Sequence, residues 1–282
     1  MERRVFGWTK AKVPVVGQGT WRMEHNDRKA CIEALRAGLD AGATHIDTAE
    51  LYGAGEVEKL VAEAIKGRRE EVFLVSKVLP EHSTYAETLK SCEKTLKRLK
   101  TDRLDLYLLH WLSEDVPFEE TYKAFEKLVK DGKVKAWGVS NFDAQDLQMA
   151  LEIAGEKKIA CNQVIYHLQD RGIETEVIPW CEKHNVPVVA YSPFGAGRFP
   201  RPRTEGGKVL KEIADAHEAT PYQVALRFLA RRPLVFTIPK AAKAQHAQEN
   251  AAAGDLRLTD EELRRIDAAF PAGPGEEGVL TM

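Results

Sequence analysis

The chain has 282 residues, of which 44% are hydrophobic and 30% charged, and its formal net charge is −2. This balance excludes the strong electrostatic footprint that nucleic acid or an anionic membrane surface would require. No apolar run approaches the roughly 20 residues of a membrane span, and the N-terminal MERRVFGWTK lacks the apolar core of a signal peptide. We therefore expect a cytoplasmic protein with no nucleic-acid or membrane partner.

Four cysteines lie far apart in the chain, at Cys31, Cys92, Cys161 and Cys181, and none forms a CxxC pair. A disulfide framework or a zinc site needs closer or paired spacing. We therefore interpret all four as reduced packing residues and expect no metal. No repeated apolar surface pattern indicates an obligate assembly, so we expect a monomer.

Short apolar runs alternate with amphipathic stretches along almost the whole chain. Eight apolar runs predict parallel strands that helices cover on the outside, and they are Val15–Thr20, Thr44–Asp47, Val72–Lys77, Leu104–His110, Ala136–Ser140, Cys161–Tyr166, Val186–Ser192 and Val235–Lys240. The predicted helices between them are Arg28–Ala41, Glu56–Ile65, Tyr85–Leu99, Glu119–Lys130, Ala144–Ala154, Glu174–His184 and Pro221–Ala230. This alternation favours a (β/α)8 TIM barrel over an open doubly wound sheet, and barrels of about 250 residues are single domains. We therefore predict one barrel domain over residues 1–282.

Segments outside this alternation predict additions to the barrel. The stretch from Arg4 to about Pro14 precedes the first strand and predicts a small β-hairpin across the barrel bottom. Gly206–Glu218 and Thr259–Phe270 predict extra helices near the C-terminus. The tail PAGPGEEGVLTM is rich in Gly and Pro and predicts a loop or mobile end.

Two helix starts carry the spacing of a capping box, in which an N-cap hydroxyl and a side chain three residues later each bond the other's backbone N–H. The pairs are Thr84 with Glu87 and Thr220 with Gln223. In the second pair, Pro221 occupies the first helical position, where its missing N–H costs nothing.

Four ionisable side chains lie at or just beyond the ends of predicted strands: Asp47, Tyr52, Lys77 and His110. The carboxyl ends of barrel strands meet at one mouth, so we expect the four to converge there. Each has an ordinary interpretation by itself: a helix cap, a packing tyrosine, a structural ion pair and a core histidine. Their joint placement favours a catalytic site.

These four residue types match proton donation to a carbonyl oxygen. A free tyrosine has a pKa of about 10, and a nearby lysine cation favours its phenolate and lowers that value. Asp47 would hold Lys77, and a neutral His110 could donate a hydrogen bond to the same oxygen. A nucleophile at carbon is missing from this set, and a hydride from a nicotinamide would supply it.

A dinucleotide would have to bind in the barrel mouth, because GQGTW (17–21) lacks the third glycine of the GxGxxG fingerprint. Ser140 and Asn141 end the segment WGVSNF and Gln163 lies within ACNQV, and these side chains could bond a carboxamide, although ordinary loop polarity also explains them. Tyr191 could stack on a nicotinamide ring or simply pack in the core. Backbone N–H groups from Ser192 to Gly197 could bind a pyrophosphate, and Lys240 could meet a ribose phosphate.

The ordered motifs DTAxxYG, SK, LLHW, GVSNF, NQV, YSP and IPK resemble those of the aldo-keto reductase superfamily nearly end to end. The chain is most similar to short bacterial members of the methylglyoxal reductase and 2,5-diketo-gluconate reductase types. The resemblance implies a (β/α)8 barrel, NADPH as cofactor and reversible reduction of aldehydes or ketones to alcohols. It also implies the catalytic tetrad Asp47, Tyr52, Lys77 and His110.

The resemblance further implies two sets of binding residues. The cofactor set is Thr20, Trp21, Asp47, Ser140, Asn141, Gln163, Tyr191, Ser192, Pro193, Phe194, Gly195, Ile238, Lys240, His246, Glu249 and Asn250. The substrate set is Trp21, Tyr52, His110 and Trp111.

Two positions depart from the family pattern near the expected 2′-phosphate of NADPH. The common IPKS motif is IPKA here, so Ala241 lacks a hydroxyl, and His246 stands where many NADPH-specific members carry arginine. Arginine presents a planar fork that is always charged, whereas histidine does not. Lys240 remains as a cation, so we expect NADPH to be preferred and NADH to be a weaker alternative.

Short loops after the fourth strand and an apolar wall of Trp21 and Trp111 predict an open, weakly selective pocket. We expect small aldehydes, 2-oxoaldehydes such as methylglyoxal, and aromatic aldehydes as substrates. Two alternatives remain open: a Schiff-base enzyme that uses Lys77, which the neighbouring Asp47 disfavours, and a non-catalytic NADPH-binding sensor or interaction protein on the same barrel.

Overall fold

Eight parallel strands form the central sheet of the protein, for which a computed structural model describes residues 1–273. In chain order they are β3 (Gln18–Gly19), β4 (His45–Asp47), β5 (Phe73–Val78), β6 (Leu104–Leu109), β7 (Val134–Ser140), β8 (Ile159–Ile165), β9 (Val188–Tyr191) and β10 (Val235–Thr237). Each strand pairs with the next in parallel. Bridges from Val16 to Thr237 and from Gly19 to Lys240 join the last strand to the first. The predicted (β/α)8 barrel is confirmed.

The described part of the chain contains ten α-helices, most of them between consecutive strands. They are α1 (Arg28–Asp40), α2 (Glu56–Ala64), α3 (Tyr85–Leu99), α4 (Phe118–Lys130), α5 (Ala144–Ala154), α6 (Val177–Lys183), α7 (Glu205–Ala216), α8 (Pro221–Leu229), α9 (Ala244–Ala252) and α10 (Asp260–Ala269). The extra helices predicted near the C-terminus are confirmed as α7 and α10. Helix α9, which follows the last barrel strand, was not assigned from the sequence.

Several elements are shorter than the sequence predicts. The first barrel strand covers only Gln18–Gly19 of the predicted Val15–Thr20, and proline or backbone geometry accounts for three others. The last strand ends at Thr237, because Pro239 has no N–H to extend the ladder. Strand β9 ends before Ser192, whose φ of 48° leaves the extended region. Helix α6 begins at Val177, because a helix tolerates Pro179 only in its first turn.

A short antiparallel hairpin closes the end of the barrel where the strands begin, as predicted. It consists of β1 (Arg3–Val5) and β2 (Lys12–Pro14). Between them, Phe6 is fully buried, with its ring centroid 5.3 Å from that of Phe73 and 5.0 Å from that of Phe236. The barrel floor is therefore apolar, and the opposite mouth is left for chemistry.

One of the two predicted capping boxes is complete. Thr220 accepts a hydrogen bond from the backbone N–H of Gln223, whose side chain accepts one from the backbone N–H of Thr220. At α3, Thr84 caps the helix, but Glu87 accepts a bond from the Thr84 hydroxyl rather than from its backbone N–H. The prediction for Thr84 is therefore half correct, because the Glu87 carboxylate accepts its bond from the Thr84 hydroxyl.

All four cysteines are buried and free, as predicted. Within residues 1–273, no helix is long and apolar enough to cross a membrane. The same residues contain no cluster of three or more His, Cys, Asp or Glu side chains that could hold a metal ion. Of the predicted C-terminal loop, residues 271–273 are irregular, and residues 274–282 lie outside the described part of the chain.

Candidate active site

A buried ion pair lies at the upper end of the barrel, where β4 and β5 run side by side. The Lys77 Nζ atom lies 2.5 and 2.6 Å from the two carboxylate oxygens of Asp47, and it also donates to the carbonyl oxygen of Thr48 at 2.9 Å. Both side chains are almost completely buried. Burial by itself would lower the pKa of Lys77, but Asp47 and then Tyr52 raise it above its usual value. The lysine is therefore held as an ammonium ion.

Tyr52 lies beside this pair on the loop after β4. Its hydroxyl is 3.1 Å from the Lys77 Nζ atom. Gly53 and Gly55 follow it with φ values of 55° and 88°, which glycine adopts without a steric penalty. Burial raises the pKa of Tyr52, and Lys77 opposes that rise without overcoming it. The expectation of a net lowered pKa is therefore not met in the protein alone, because desolvation of the phenolate outweighs the cation.

His110 occupies the first position after β6 and faces the tyrosine. The two ring centroids are 5.9 Å apart and the rings are nearly perpendicular. Burial, and then Lys77, hold the pKa of His110 well below its usual range. The imidazole is therefore neutral at physiological pH, as predicted. The indole of Trp111 packs against it, with 4.8 Å between centroids.

Polar side chains from later strands support the ion pair from the other side. Gln163 on β8 donates to both carboxylate oxygens of Asp47, at 3.1 and 3.3 Å. Ser140 donates to the backbone oxygen of Gln163, and Asn141 accepts from the Tyr191 hydroxyl at 2.9 Å. The prediction that Ser140, Asn141 and Gln163 could bond a carboxamide has to allow for this, because part of their bonding capacity is used inside the protein.

A cavity of about 410 Å³ opens at the barrel mouth over these residues. Its lining consists of Gly19, Thr20, Trp21, Asp47, Leu51, Tyr52, His110, Trp111, Leu112, Ser140, Asn141, Gln163, Tyr191, Ser192, Ile238 and Lys240. Leu51, Leu112 and Gly19 were not predicted. The two leucines directly precede Tyr52 and follow Trp111, and that adjacency was the available signal.

Six of the predicted cofactor residues lie outside this cavity lining: Pro193, Phe194, Gly195, His246, Glu249 and Asn250. Asn250 lines a small hollow beneath Gly19 together with Ala241. His246 is exposed on α9, and Glu249 accepts a bond from Gln245. Lys240 lines the cavity and directly precedes Ala241, which lines the hollow. Its Nζ atom lies 3.3 Å from the Asn26 side-chain oxygen.

The loop after β9 contains four residues with a left-handed backbone. Ser192, Gly195, Ala196 and Gly197 all have positive φ, between 48° and 94°. The step from Phe194 (φ −101°) to Gly195 (φ 67°) joins a right-handed to a left-handed residue, as in anion-binding nests, and the N–H of Gly195 itself bonds to the Ser192 carbonyl oxygen. Together with Lys240, this loop suits the phosphates of a dinucleotide that enters the cavity from this side.

A (β/α)8 barrel with a buried aspartate–lysine pair, a tyrosine on the lysine and a neutral histidine at its mouth defines a class of oxidoreductases that reduce carbonyl groups. The aldo/keto reductase family model matches residues 15–270. The chain belongs to this family and is an NAD(P)H-dependent aldo-keto reductase, which confirms the resemblance drawn from its motifs.

Characterised relatives and a solved structure match almost the full length of the chain. Methylglyoxal reductase YeaE of Escherichia coli is 47% identical over 94% of this chain and 93% of its own length. Glyoxal reductase of Bacillus subtilis is 37% identical over 91% of this chain and 89% of its own. The crystal structure of an aldo/keto reductase from Klebsiella pneumoniae in complex with NADP and acetate is 43% identical, with a TM-score of 0.93 and full coverage of both chains.

Proposed function

We propose that this protein uses NADPH to reduce small aldehydes, with Tyr52 as the general acid. The observation that carries the proposal is the contact of 3.1 Å between the Tyr52 hydroxyl and the Lys77 ammonium, at the wall of an open cavity. A tyrosine on a lysine can give up its proton because the cation stabilises the phenolate that remains. The family membership of the chain supports the same reaction class.

The cofactor proposal depends on the groups that face the phosphates. The Klebsiella pneumoniae relative was crystallised with NADP. In this chain, Lys240 and the positive-φ loop after β9 supply a cation and backbone N–H groups. Ala241 and the exposed His246 supply no arginine fork, so NADH is the weaker alternative.

Bound NADPH would supply a hydride to the carbonyl carbon. Tyr52 would donate its proton to the carbonyl oxygen, and Lys77 would stabilise the resulting phenolate. Asp47 keeps Lys77 charged through contacts of 2.5 and 2.6 Å. The neutral His110 would hold the carbonyl oxygen by donating one ring N–H. Lys77 is saturated by Asp47, Thr48 and Tyr52, which argues against a Schiff-base role.

The cavity walls favour small substrates without a large charged group. Trp21, Leu51, Trp111 and Leu112 form an apolar side, and Lys240 is the cation in the lining beyond the candidate catalytic residues. The proposed substrates are small aldehydes, 2-oxoaldehydes such as methylglyoxal, and aromatic aldehydes. The names of the relatives from Escherichia coli and Bacillus subtilis support the 2-oxoaldehyde class. Cytoplasmic location, a monomeric state and one domain over residues 1–282 stay predictions.

The first test follows the absorbance of NADPH in the presence of methylglyoxal for wild type and Tyr52→Phe. We expect wild type to consume NADPH and the variant to lose at least about 10²-fold in kcat, because it has no proton to donate. Tyr222→Phe is the matched control, since this tyrosine is 47% exposed on α8 and outside the cavity lining.

The possible results distinguish the proposed enzyme from the sensor alternative and test each part of the proposal. NADPH binding without turnover of any small or aromatic aldehyde would favour the sensor alternative. Turnover that survives in Tyr52→Phe would refute the tyrosine as acid, and failure to bind either nucleotide would refute the cofactor proposal.

A further inference from the structure

Glu50 is a buried carboxylate between Asp47 and Tyr52, and all its polar contacts lie on the neighbouring segment of the chain. It is 8% exposed. One oxygen accepts the backbone N–H of Leu79 at 2.8 Å and contacts His82 Nδ1 at 3.0 Å. The other accepts the hydroxyl of Ser91, on α3, at 2.6 Å.

These contacts join the loop that carries Tyr52, after β4, to the segment that follows β5, the strand that carries Lys77. The backbone N–H of Thr48 bonds to Val75, and that of Glu50 reaches the carbonyl oxygen of Lys77 at 3.4 Å. Beyond this point the loop turns away, and the backbone N–H of Tyr52 bonds to Ala49 within its own segment. The bond from the Leu79 N–H to the Glu50 carboxylate therefore adds one more link to the series of hydrogen bonds between these two segments.

We propose that Glu50 is a positioning residue that holds the Tyr52 hydroxyl against the Lys77 ammonium. The inference rests on the proposed function, because the Tyr52–Lys77 contact matters only if Tyr52 is the acid. The Glu50 carboxylate forms no hydrogen bond with Tyr52, and Glu50 is not part of the cavity lining, so it would act on Tyr52 through the backbone. A displacement of about 1 Å at a reacting group can lower a rate by about 10²-fold.

Asp105, which also pairs with Arg69 and Lys135, offers a control at the other end of β5. Asp105 is also a buried carboxylate, 6% exposed, and it accepts the backbone N–H of Leu74 at 3.0 Å. Asp105 thus bonds to β5 as Glu50 does to the segment after β5, but at the end that lies far from Tyr52. Removing either carboxylate leaves a buried N–H without an acceptor, so both variants lose stability.

The experiment compares Glu50→Ala, Glu50→Gln and Asp105→Ala in steady-state reduction of methylglyoxal, with NADPH binding measured separately by fluorescence. We expect Glu50→Ala to lose 10- to 100-fold in kcat while its Kd for NADPH stays within about two-fold. The alkaline limb of its kcat profile should move to higher pH, since Tyr52 loses part of the influence of Lys77. Glu50→Gln keeps an oxygen for Leu79 and an amide for Ser91, so its kcat should stay within about three-fold of wild type.

A purely structural role predicts a different pattern. Equal kcat values for Glu50→Ala and Asp105→Ala, or a Glu50→Ala pH profile that coincides with that of wild type, would overturn the inference. If Glu50→Ala does not fold, Glu50→Asp replaces it, because the shorter side chain withdraws the carboxylate from Leu79; an unchanged kcat and pH profile in that variant would overturn the inference too. The failure of the proposed function is separate, since it shows as turnover that survives in Tyr52→Phe or as no turnover in wild type.

Discussion

Tyr52 lies between two opposing electrostatic effects. Burial raises its pKa, and the ammonium of Lys77 at 3.1 Å lowers it, with burial the larger effect. The tyrosine is therefore protonated before any reaction, as a proton donor must be. The influence of Lys77 grows when the proton leaves, because only then does a phenolate face the cation.

The roles of Lys77 in catalysis and in stability can be separated. Lys77→Met leaves the buried Asp47 carboxylate without its cation, which should lower the free energy of unfolding by about 3–5 kcal/mol and kcat by at least about 10²-fold. The double variant Lys77→Met/Asp47→Asn removes both charges. It should regain most of the stability but none of the turnover. Urea unfolding and steady-state rates measure the two quantities.

Lys127→Met is a suitable control, because Lys127 on α4 forms an exposed pair with Asp131, the residue that follows this helix. Its effect on stability should stay below about 1 kcal/mol, with kcat unchanged. If the double variant recovered turnover, Lys77 would serve only to neutralise Asp47, and its role toward Tyr52 would be refuted.

Helices with a clear apolar stripe or a cap were predictable, and one without a stripe was not. Helix α9 has the sequence AQHAQENAA, in which alanine and polar residues give no strong periodic pattern. It forms because Ala247 and Ala251 pack into the protein, and helix α1 covers it. Small residues carry little hydrophobic signal, but they allow two helices to approach closely.

The third residue of helix α8 accepts a bond from a backbone N–H, whereas the third residue of helix α3 accepts one from a side-chain hydroxyl. Gln223→Ala leaves the half-buried backbone N–H of Thr220 without its acceptor, so the free energy of unfolding should fall by about 1 kcal/mol. Glu87→Ala removes only a bond from the Thr84 hydroxyl and should cost about 0.5 kcal/mol or less. Chemical denaturation of the two variants gives the comparison, and equal losses would contradict the difference between the caps.

The closed end of the barrel is filled by an aromatic cluster whose members come from segments far apart in the chain. Phe6 comes from the hairpin, Phe73 and His45 from neighbouring strands, and Phe236 from the last strand. His45 is fully buried, and its two ring nitrogens have no hydrogen-bond partner in the described structure. Burial, and then Lys77, lower the pKa of His45 to about 3.

This buried histidine makes folding sensitive to acid. Between pH 6.5 and about 3 the unfolded chain binds a proton on His45 and the folded protein does not, so protonation favours unfolding. Above pH 6.5, His45 is neutral in both states and does not lower the free energy of unfolding. As the pH falls through this window, His45 should lower the free energy of unfolding by about 1.4 kcal/mol per pH unit. His45→Leu should remove that part of the slope.

Urea unfolding at several pH values between 4.5 and 7.5 measures the effect. His110 shares the direction of the shift, so the slope becomes smaller in His45→Leu without disappearing. An unaltered slope in His45→Leu would show that the histidine is not held neutral by the fold.

The sequence by itself determined the barrel, the order of its strands and the four candidate catalytic residues that meet near its mouth. Buried parallel strands need continuous apolar runs, and Asp47, Lys77 and His110 interrupt those runs at their ends. Only the tertiary structure decided the electrostatics and the hydrogen bonds of the site, because these depend on distances between segments far apart in the chain. The balance at Tyr52 follows from how much water the barrel excludes, and Gln163 meets Asp47 across 116 residues of chain. Glu50 looks like an ordinary loop residue until the fold sets its carboxylate beside Leu79, 29 residues along the chain. A local cap can be predicted from residue type and spacing, but a bond to a backbone N–H on a distant segment cannot.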